Sequence, residues 1–280
     1  MNRAENVAAA FRAACRDELE SPKPGNVHLF APGHRMEAQD FLDSAEAAAP
    51  AIAAPPGLRL GARILGAVKA TTARVGQNTN LGILLLCAPL AEAALRFPGV
   101  PLQAGLERAL ADLTQSDAAL CFQAITLAQP AGLGEAPEHD VSAPARVTLL
   151  EAMRAAASRD RIAFQYANGF RDIFGLGLGA LGAARQAGAK PWLATLRVYL
   201  AFFSGLPDSH IARKYGEETA ERVRREAAEF AERQGNWADS ETIRREALVF
   251  DAALKARGLN PGTSADLTVA TLFAARLGQG

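Results

Sequence analysis

The stretch AERVRREAAEFAERQG, Ala220 to Gly235, places Val223, Ala227 and Phe230 on one stripe between charged side chains, the spacing of an amphipathic helix. The same three-and-four interval governs most of the chain, and the alternating runs that a half-buried strand needs are scarce. Alanine is abundant while valine and isoleucine are few, so intrinsic propensity points the same way. An all-α fold is expected, with helices over 2–20, 37–49, 57–75, 79–97, 102–129, 145–158, 160–187, 191–205, 209–234, 239–257 and 264–278. Proline- and glycine-rich loops separate them. The longest connection, Gln129 to Pro144, is expected to be a mobile flap. No linker or repeat divides the chain, so residues 1–280 are expected to form one domain, a multi-helix bundle with functional loops at its helix ends. Inside the apolar run LGILLLCAPLAEAAL, Pro89 withholds the bond that an amide there gives to the carbonyl of Leu85. This predicts a bend that a neighbouring helix can exploit.

Lys and Arg number 30 and Asp and Glu number 30, so the net charge is zero. No global positive field recruits nucleic acid or an acidic membrane, and any anionic ligand must be met by local cations. The longest apolar run is broken by Pro89 and Glu92 and is too short for a bilayer span, so no membrane partner is expected. The first twenty residues mix acidic with apolar side chains and lack the block of a secretory signal. Cys15, Cys87 and Cys121 lie far apart without CxxC spacing and read as buried, reduced thiols. A cytoplasmic protein is expected. The apolar content permits a homodimer, although no heptad seam specifies one.

Five loops carry more polar chemistry than helix ends require. In SPKPGNV, Ser21 to Val27, two prolines and a glycine present Lys23 and Asn26 with little entropy left to lose, which suits a phosphate; the plainer reading is a helix-ending turn with a solvated lysine. GHRMEAQDFLDSA offers His34, and puts Asp40 and Ser44 at i,i+4 on one helix face; negative charge in a first turn also explains Asp40. Asn78, Thr79 and Asn80 in GQNTNLG exceed the needs of one N-cap and stand where free amides hold an anion. LPDSHIARKYG gathers Asp208, His210, Arg213 and Lys214, with a cap as the alternative explanation of Asp208. LNPGTSADLT contributes Asn260, Thr263 and Asp266, the last two at capping-box spacing. Asp117, Asp160, Gln165 and Tyr166 are further polar residues in apolar helices, each readable as ordinary surface or capping chemistry.

Taken in order, KPGNV, GHRM with DFLDSA, GQNTNLGILLLCAPLA, TLLEAMRAAASRDRIAFQY, LPDSHIARKYG and NPGTSADLT resemble the triphosphoribosyl-dephospho-CoA synthase family over nearly the whole chain. That family is all-α and makes the prosthetic-group precursor of citrate lyase and malonate decarboxylase. The resemblance implies a transferase: a ribose hydroxyl of dephospho-CoA attacks the anomeric carbon of the ATP ribose, adenine departs, and the triphosphate stays on the product. Citrate-lyase members typically read Asn-Thr-His followed by lysine where Asn80 and Leu81 stand here. The difference resembles a divergent branch with archaeal and one-carbon-metabolising relatives. It leaves open a different acceptor, such as a pterin-type cofactor precursor; a non-catalytic nucleotide-binding protein is the remaining alternative.

Cleaving a ribosyl C–N bond builds positive charge on the sugar, for which Asp40, Asp208 and Asp266 are the expected carboxylates and His210 or an aspartate the expected base. ATP is expected as substrate, its triphosphate gripped by Lys23, Arg213 and Lys214, with Mg²⁺ bridging phosphate to Asp208 and Asp266. Asn26, Asn78, Thr79 and Asn80 are expected to orient ribose and base, and His34, Ser44, Asn260 and Thr263 to join them in binding substrate. All of this requires that these loops converge on one nucleotide-sized hollow.

Overall fold

Helix persists wherever the apolar interval continues, and it stops where a glycine or a cap intervenes. A computed structural model describes residues 2–132, 134, 138–234 and 239–278. In chain order the helices are α1 (Arg3–Leu19), α2 (Ala38–Ile52), α3 (Leu60–Val75), α4 (Leu81–Arg96), α5 (Leu102–Ala111), α6 (Gln115–Ala128), α7 (Leu149–Ala156) and α8 (Arg161–Asn168). A π-helical segment (Asp172–Gly177) follows, then α9 (Leu178–Gln186), α10 (Pro191–Gly205), α11 (Ser209–Tyr215), α12 (Glu217–Gln234), α13 (Ser240–Ala256) and α14 (Gly262–Leu277). The described residues contain no strand, only isolated bridges at His28–Ala31 and Gly33–Met36. The fold is the all-α bundle expected.

Three expected helices are each divided. The span 102–129 breaks because Thr114 and Asp117 form a capping box that starts α6 afresh. The span 160–187 breaks at Gly169 and Phe170, both left-handed with φ of 69° and 60°. The π segment then leads into α9. The span 209–234 breaks at Gly216, with φ of 87°. Residues 133 and 135–137 of the expected flap lie outside the described residues.

α4 is buried on nearly every face and packs against α3, α5 and α14; α14 in turn packs against α1, α10 and the π segment. A second apolar cluster joins α10, α12 and α13 through Leu196, Tyr199, Phe203, Val223, Phe230, Ile243 and Ala247. The three cysteines are buried and unbridged. Arg63 on α3 is fully buried: its guanidinium donates to the carbonyls of Ile52 and Ala54, each at 2.8 Å, and to Glu92 of α4 at 2.9 Å. One side chain thus satisfies the orphan carbonyls at the end of α2 and ties three helices.

The carbonyl of Leu85, which Pro89 leaves without its helical partner, receives the hydroxyl of Tyr166 from α8 at 2.6 Å. The Leu85 carbonyl left free by Pro89 is therefore a docking point of α8, and α8 carries part of the site wall through Ile162 and Ala163. Tyr166→Phe orphans that buried carbonyl and is expected to lower the unfolding free energy by ~1–3 kcal/mol. Adding Pro89→Ala should recover much of the loss by restoring the amide at position 89. Urea unfolding followed by circular dichroism reads both.

Candidate active site

The loop SPKPGNV is interior: residues 21–28 are all buried. A buried loop must pair its polar groups, and this one does so through other elements. Ser21 Oγ donates to the carbonyl of Trp192 at 3.1 Å, Tyr199 Oη donates to that of Pro24 at 2.6 Å, and the Gly25 amide donates to Asp251 Oδ1 at 2.8 Å. Gly25 has φ of 84°, and a Cβ there would lie 2.8 Å from Pro261 Cδ, so no other residue fits. Lys23 has zero exposure; its ammonium donates to the Glu18 carboxylate, to Asn26 Oδ1 at 2.9 Å and to the Val27 carbonyl at 2.9 Å. Burial pushes the Glu18 carboxyl up and the Lys23 ammonium down, and each opposes the other's shift. With all three donors occupied, Lys23 does not reach the hollow, and the expectation that it grips phosphate is corrected. Its effect is indirect, since Glu18 and Asn26 do line the hollow, and Asn26 Nδ2 donates onward to Asn260 Oδ1 at 2.8 Å.

Asp208 is buried and closes two helices. Its Oδ1 accepts from the amides of His210 (3.0 Å) and Ile211 (3.2 Å) at the start of α11. Its Oδ2 accepts from the amide and hydroxyl of Ser264, both at 2.8 Å, in the first turn of α14. Thr263 is likewise buried: its hydroxyl pairs with Ser209 Oγ at 3.0 Å and accepts from the His210 amide at 3.2 Å. No capping box between Thr263 and Asp266 forms, because α14 starts at Gly262 behind Pro261. Asp208 and Thr263 build the wall from behind and do not face the hollow.

That hollow has a volume of about 860 Å³, toward the upper end of ligand-site sizes. Into its lining come Asn26, His34, Asn78, Thr79, Asn80, His210, Arg213, Lys214, Asn260 and Asp266, from loops spread over the whole chain. The carboxyl of Asp266 lies over Gly82 in the first turn of α4: a Cβ at Gly82 would stand 2.0 Å from Oδ2. Burial, then Asp208 and Glu18, raise this carboxyl well above its ordinary range. The His210 ring rests on Gly262, and burial lowers its pKa from the usual value although Asp208 opposes the shift. His34 Nε2 donates to the Gly25 carbonyl at 2.8 Å, and burial lowers its pKa as well.

The turn before α4 is anchored in detail. Ser44 Oγ donates to the Asp40 carbonyl at 2.6 Å, so the contact of 2.5 Å with Thr79 has the threonine hydroxyl as donor. Asn78 Oδ1 accepts from the Leu81 amide at 3.1 Å, and Asn80 Nδ2 donates to Thr71 Oγ1 at 3.2 Å. The amides of Gly82 and Ile83 take no partner among the described residues. Asp40 sits outside the lining: its carboxylate accepts from the Glu37 amide at 2.8 Å and from Gln77 at 3.4 Å. Its expected catalytic place is therefore corrected to a cap of α2. Ser44 stands one layer behind Thr79.

Among the lining residues not singled out in the sequence are Glu18 and Arg159. Glu18 reads as the solvated end of an amphipathic helix, and only its pairing with Lys23 distinguishes it. Arg159 lies beside Asp160, which caps α8 through the amides of Ile162 and Ala163 and accepts from Arg213 at 2.5 Å. Arg159, Arg213 and Lys214 thus bring cations to the hollow, where the carboxylates of Glu18, Asp160, Glu217 and Asp266 also line it.

Mg²⁺ wants a near-octahedral set of oxygens, commonly one or two carboxylates with phosphates and water. Asp208 already accepts four hydrogen bonds, and no group of three or more His, Cys, Asp or Glu among the described residues is arranged to hold a metal. Asp208, whose oxygens are taken up behind the wall, does not fit Mg²⁺, and the expectation that it ligates the ion is corrected.

A helical bundle whose helix-end loops enclose a polar hollow lined by both cations and carboxylates defines an enzyme-type site for a small-molecule substrate. The model of the family CitG, ATP:dephospho-CoA triphosphoribosyl transferase, matches residues 4–280, and the chain belongs to that family of enzymes. It is 30% identical over 291 residues to a protein of Stutzerimonas stutzeri (strain A1501) named a probable 2-(5''-triphosphoribosyl)-3'-dephosphocoenzyme-A synthase, covering 98% of this chain and 92% of that protein. It is also similar to the crystal structure of a candidate triphosphoribosyl-dephospho-CoA synthase from Archaeoglobus fulgidus, with a TM-score of 0.64 and 26% identity over 84% of this chain and 97% of that one.

Because Lys23 neutralises a buried carboxylate, Lys23→Met is expected to destabilise the fold by ~3–5 kcal/mol. Lys23→Met combined with Glu18→Gln should be less destabilised than Lys23→Met alone. Thermal and urea unfolding of the three variants check this; a lysine that merely met phosphate would leave stability nearly unchanged.

Proposed function

We propose that the hollow takes ATP and dephospho-CoA together, and that a ribose hydroxyl of dephospho-CoA displaces adenine from the anomeric carbon of ATP, carrying the intact triphosphoribosyl group onto the acceptor. The observation that supports this reading is the convergence of ten sequence-separated residues, Asn26 to Asp266, on one cavity. Its volume of about 860 Å³ leaves room for two nucleotide-bearing molecules in part.

The triphosphate is placed against Arg159, Arg213 and Lys214, with the free amides of Gly82 and Ile83 offering further donors at the positive end of α4. Mg²⁺, where ATP carries it, is part of the substrate, with phosphate oxygens and water as its ligands. Asn26, Asn78 and Asn260 present neutral amides suited to ribose hydroxyls and base edges, already held by Lys23, the Leu81 amide and each other. The positive charge that develops on the sugar needs a fixed negative neighbour, and Glu18, held in place by its ion pair with Lys23, is the carboxylate in the lining best suited to it. Nothing in this arrangement requires a basic protein surface, consistent with a chain of zero net charge.

The test is stoichiometric. Incubation with ATP and dephospho-CoA is expected to release one adenine per acceptor consumed and to raise the acceptor mass by a triphosphoribosyl unit, read by chromatography and mass spectrometry. Lys214→Gln and Arg159→Gln are each expected to raise the KM for ATP by ~10-fold or more. Intact ATP after incubation with dephospho-CoA would remove the reading; a mass shift only on another acceptor would keep the chemistry and change the substrate.

A further inference from the structure

Adenine leaves poorly until a ring nitrogen is protonated, and a ribose hydroxyl attacks poorly until it can shed its proton. The transfer therefore calls for an acid on the leaving side of the anomeric carbon and a base on the attacking side. Asp266 and His210 both line the hollow, and neither side chain takes a hydrogen bond from a described residue. They contrast in this with the other polar groups around them: Asp208 and Asp160 are fixed as helix caps, and Glu18 is fixed by Lys23. The two free groups come from different helices, His210 from α11 and Asp266 from α14, and meet along the first turns of α14. The His210 ring lies against Gly262, where a Cβ would be 3.4 Å from Cγ and Nδ1, and Asp266 is one helical turn further along.

Their surroundings differ in sign. Facing Asp266 are the carboxylates of Asp208 at the start of α11, Glu18 of α1 and Asp160 at the start of α8, with the Arg213 guanidinium opposing them. Facing His210 are Arg213 and Lys214 of its own helix and His34 of the loop after α1, with Asp208 opposing. Gly82 completes the arrangement. Lacking a side chain, it lets the Asp266 carboxyl lie on the first turn of α4, with Ile162 of α8 closing over the same spot.

We propose that Asp266 is the acid that protonates departing adenine and that His210 is the base that receives the proton of the attacking hydroxyl; the assignment rests on the triphosphoribosyl-transfer reading above. The acceptor O–H bond breaks as its proton moves to a ring nitrogen of His210, and the oxygen forms the new bond to the anomeric carbon. The bond from that carbon to adenine N9 breaks with its electron pair staying on the base. A ring nitrogen of adenine takes the Asp266 proton, so neutral adenine departs. The resulting carboxylate and imidazolium return to their starting forms by proton exchange with water. Burial that favours the neutral form of both groups supplies the required starting states, a carboxylic acid and a neutral imidazole. Activity is then lost on the acid side as His210 gains a proton and on the alkaline side as Asp266 loses one.

The experiment uses the full chain, dephospho-CoA, and two donors: ATP, and a triphosphoribosyl donor carrying p-nitrophenol, which leaves without protonation, in place of adenine. Asp266→Asn is expected to lose ~10²–10⁴-fold with ATP, to retain its rate with the p-nitrophenyl donor, and to lose the alkaline limb of the kcat/KM profile. His210→Gln is expected to lose rate with both donors and to lose the acid limb. Gly82→Ala, which pushes the carboxyl aside without removing it, should reproduce the donor selectivity of Asp266→Asn in a chain whose fold is otherwise unaltered. Equal loss on both donors by Asp266→Asn, or an unchanged alkaline limb, overturns the acid assignment; wild-type rates in His210→Gln overturn the base. A wild-type chain that releases no adenine from ATP overturns the reaction reading, and this assignment falls with it.

Discussion

The Asp208 carboxylate accepts hydrogen bonds from the first turns of α11 and α14 at once, two from each, at 2.8 to 3.2 Å. Most of what makes the site depends on that junction. α11 carries His210, Arg213 and Lys214; α14 carries Asp266; and nothing in the local sequence of either helix sets the distance between them. A neutral cap would satisfy one helix start. A charged one, with two oxygens and four lone-pair sites, can satisfy two and bring their positive ends to the same point, where the two macrodipoles also favour it. Its burial is tolerable because every acceptor direction is occupied.

Helix placement was legible because the apolar interval is long and regular, and the three misjudged spans share one physical cause. In each, a strong local signal lies within a continuing hydrophobic pattern: Thr114 with Asp117, Gly169 with Phe170, and Gly216. Hydrophobic periodicity reports which face is buried and does not report a change of axis, since two helices meeting at a corner can both present apolar faces to one core. The caps and left-handed residues carried that information. The free carbonyl left by Pro89 was legible for the opposite reason, because a missing amide has a fixed consequence. What the sequence could not say is that Tyr166, 81 residues away, supplies the replacement donor.

The site was legible as a set of loops and less so as a set of roles. Asn26, His34, Asn78, His210, Arg213, Asn260 and Asp266 were expected to meet, and they do line one cavity. Lys23, Asp208 and Thr263 belong to the same loops but face the protein, Asp40 is spent capping α2, and residue type alone carries no orientation. Lys23 is instructive. Proline rigidity in SPKPGNV is real, but it serves a loop buried between α1, α10 and α13, and such a loop needs a cation only because Glu18 is buried with it. Glu18 was missed for the complementary reason: an acid at the end of an amphipathic helix is ordinary until its burial is known.

The two layers explain how a chain with no net charge and no sheet can handle a polyanion. A buried inner layer, Lys23 with Glu18, Arg63 with Glu92, and Asp208 with two helix ends, is compensated pairwise and therefore rigid. Rigidity there leaves the outer layer free of the need to hold the fold together, so Asp266 and His210 can stand unpaired in the lining without loosening it. An unpaired titratable group in a packed protein is costly and drifts toward its neutral form. The cost is carried by the inner layer's satisfied network. The drift, upward for a carboxyl and downward for an imidazole, gives the hollow a proton donor and a proton acceptor at one pH, which a surface built from solvated charges could not supply.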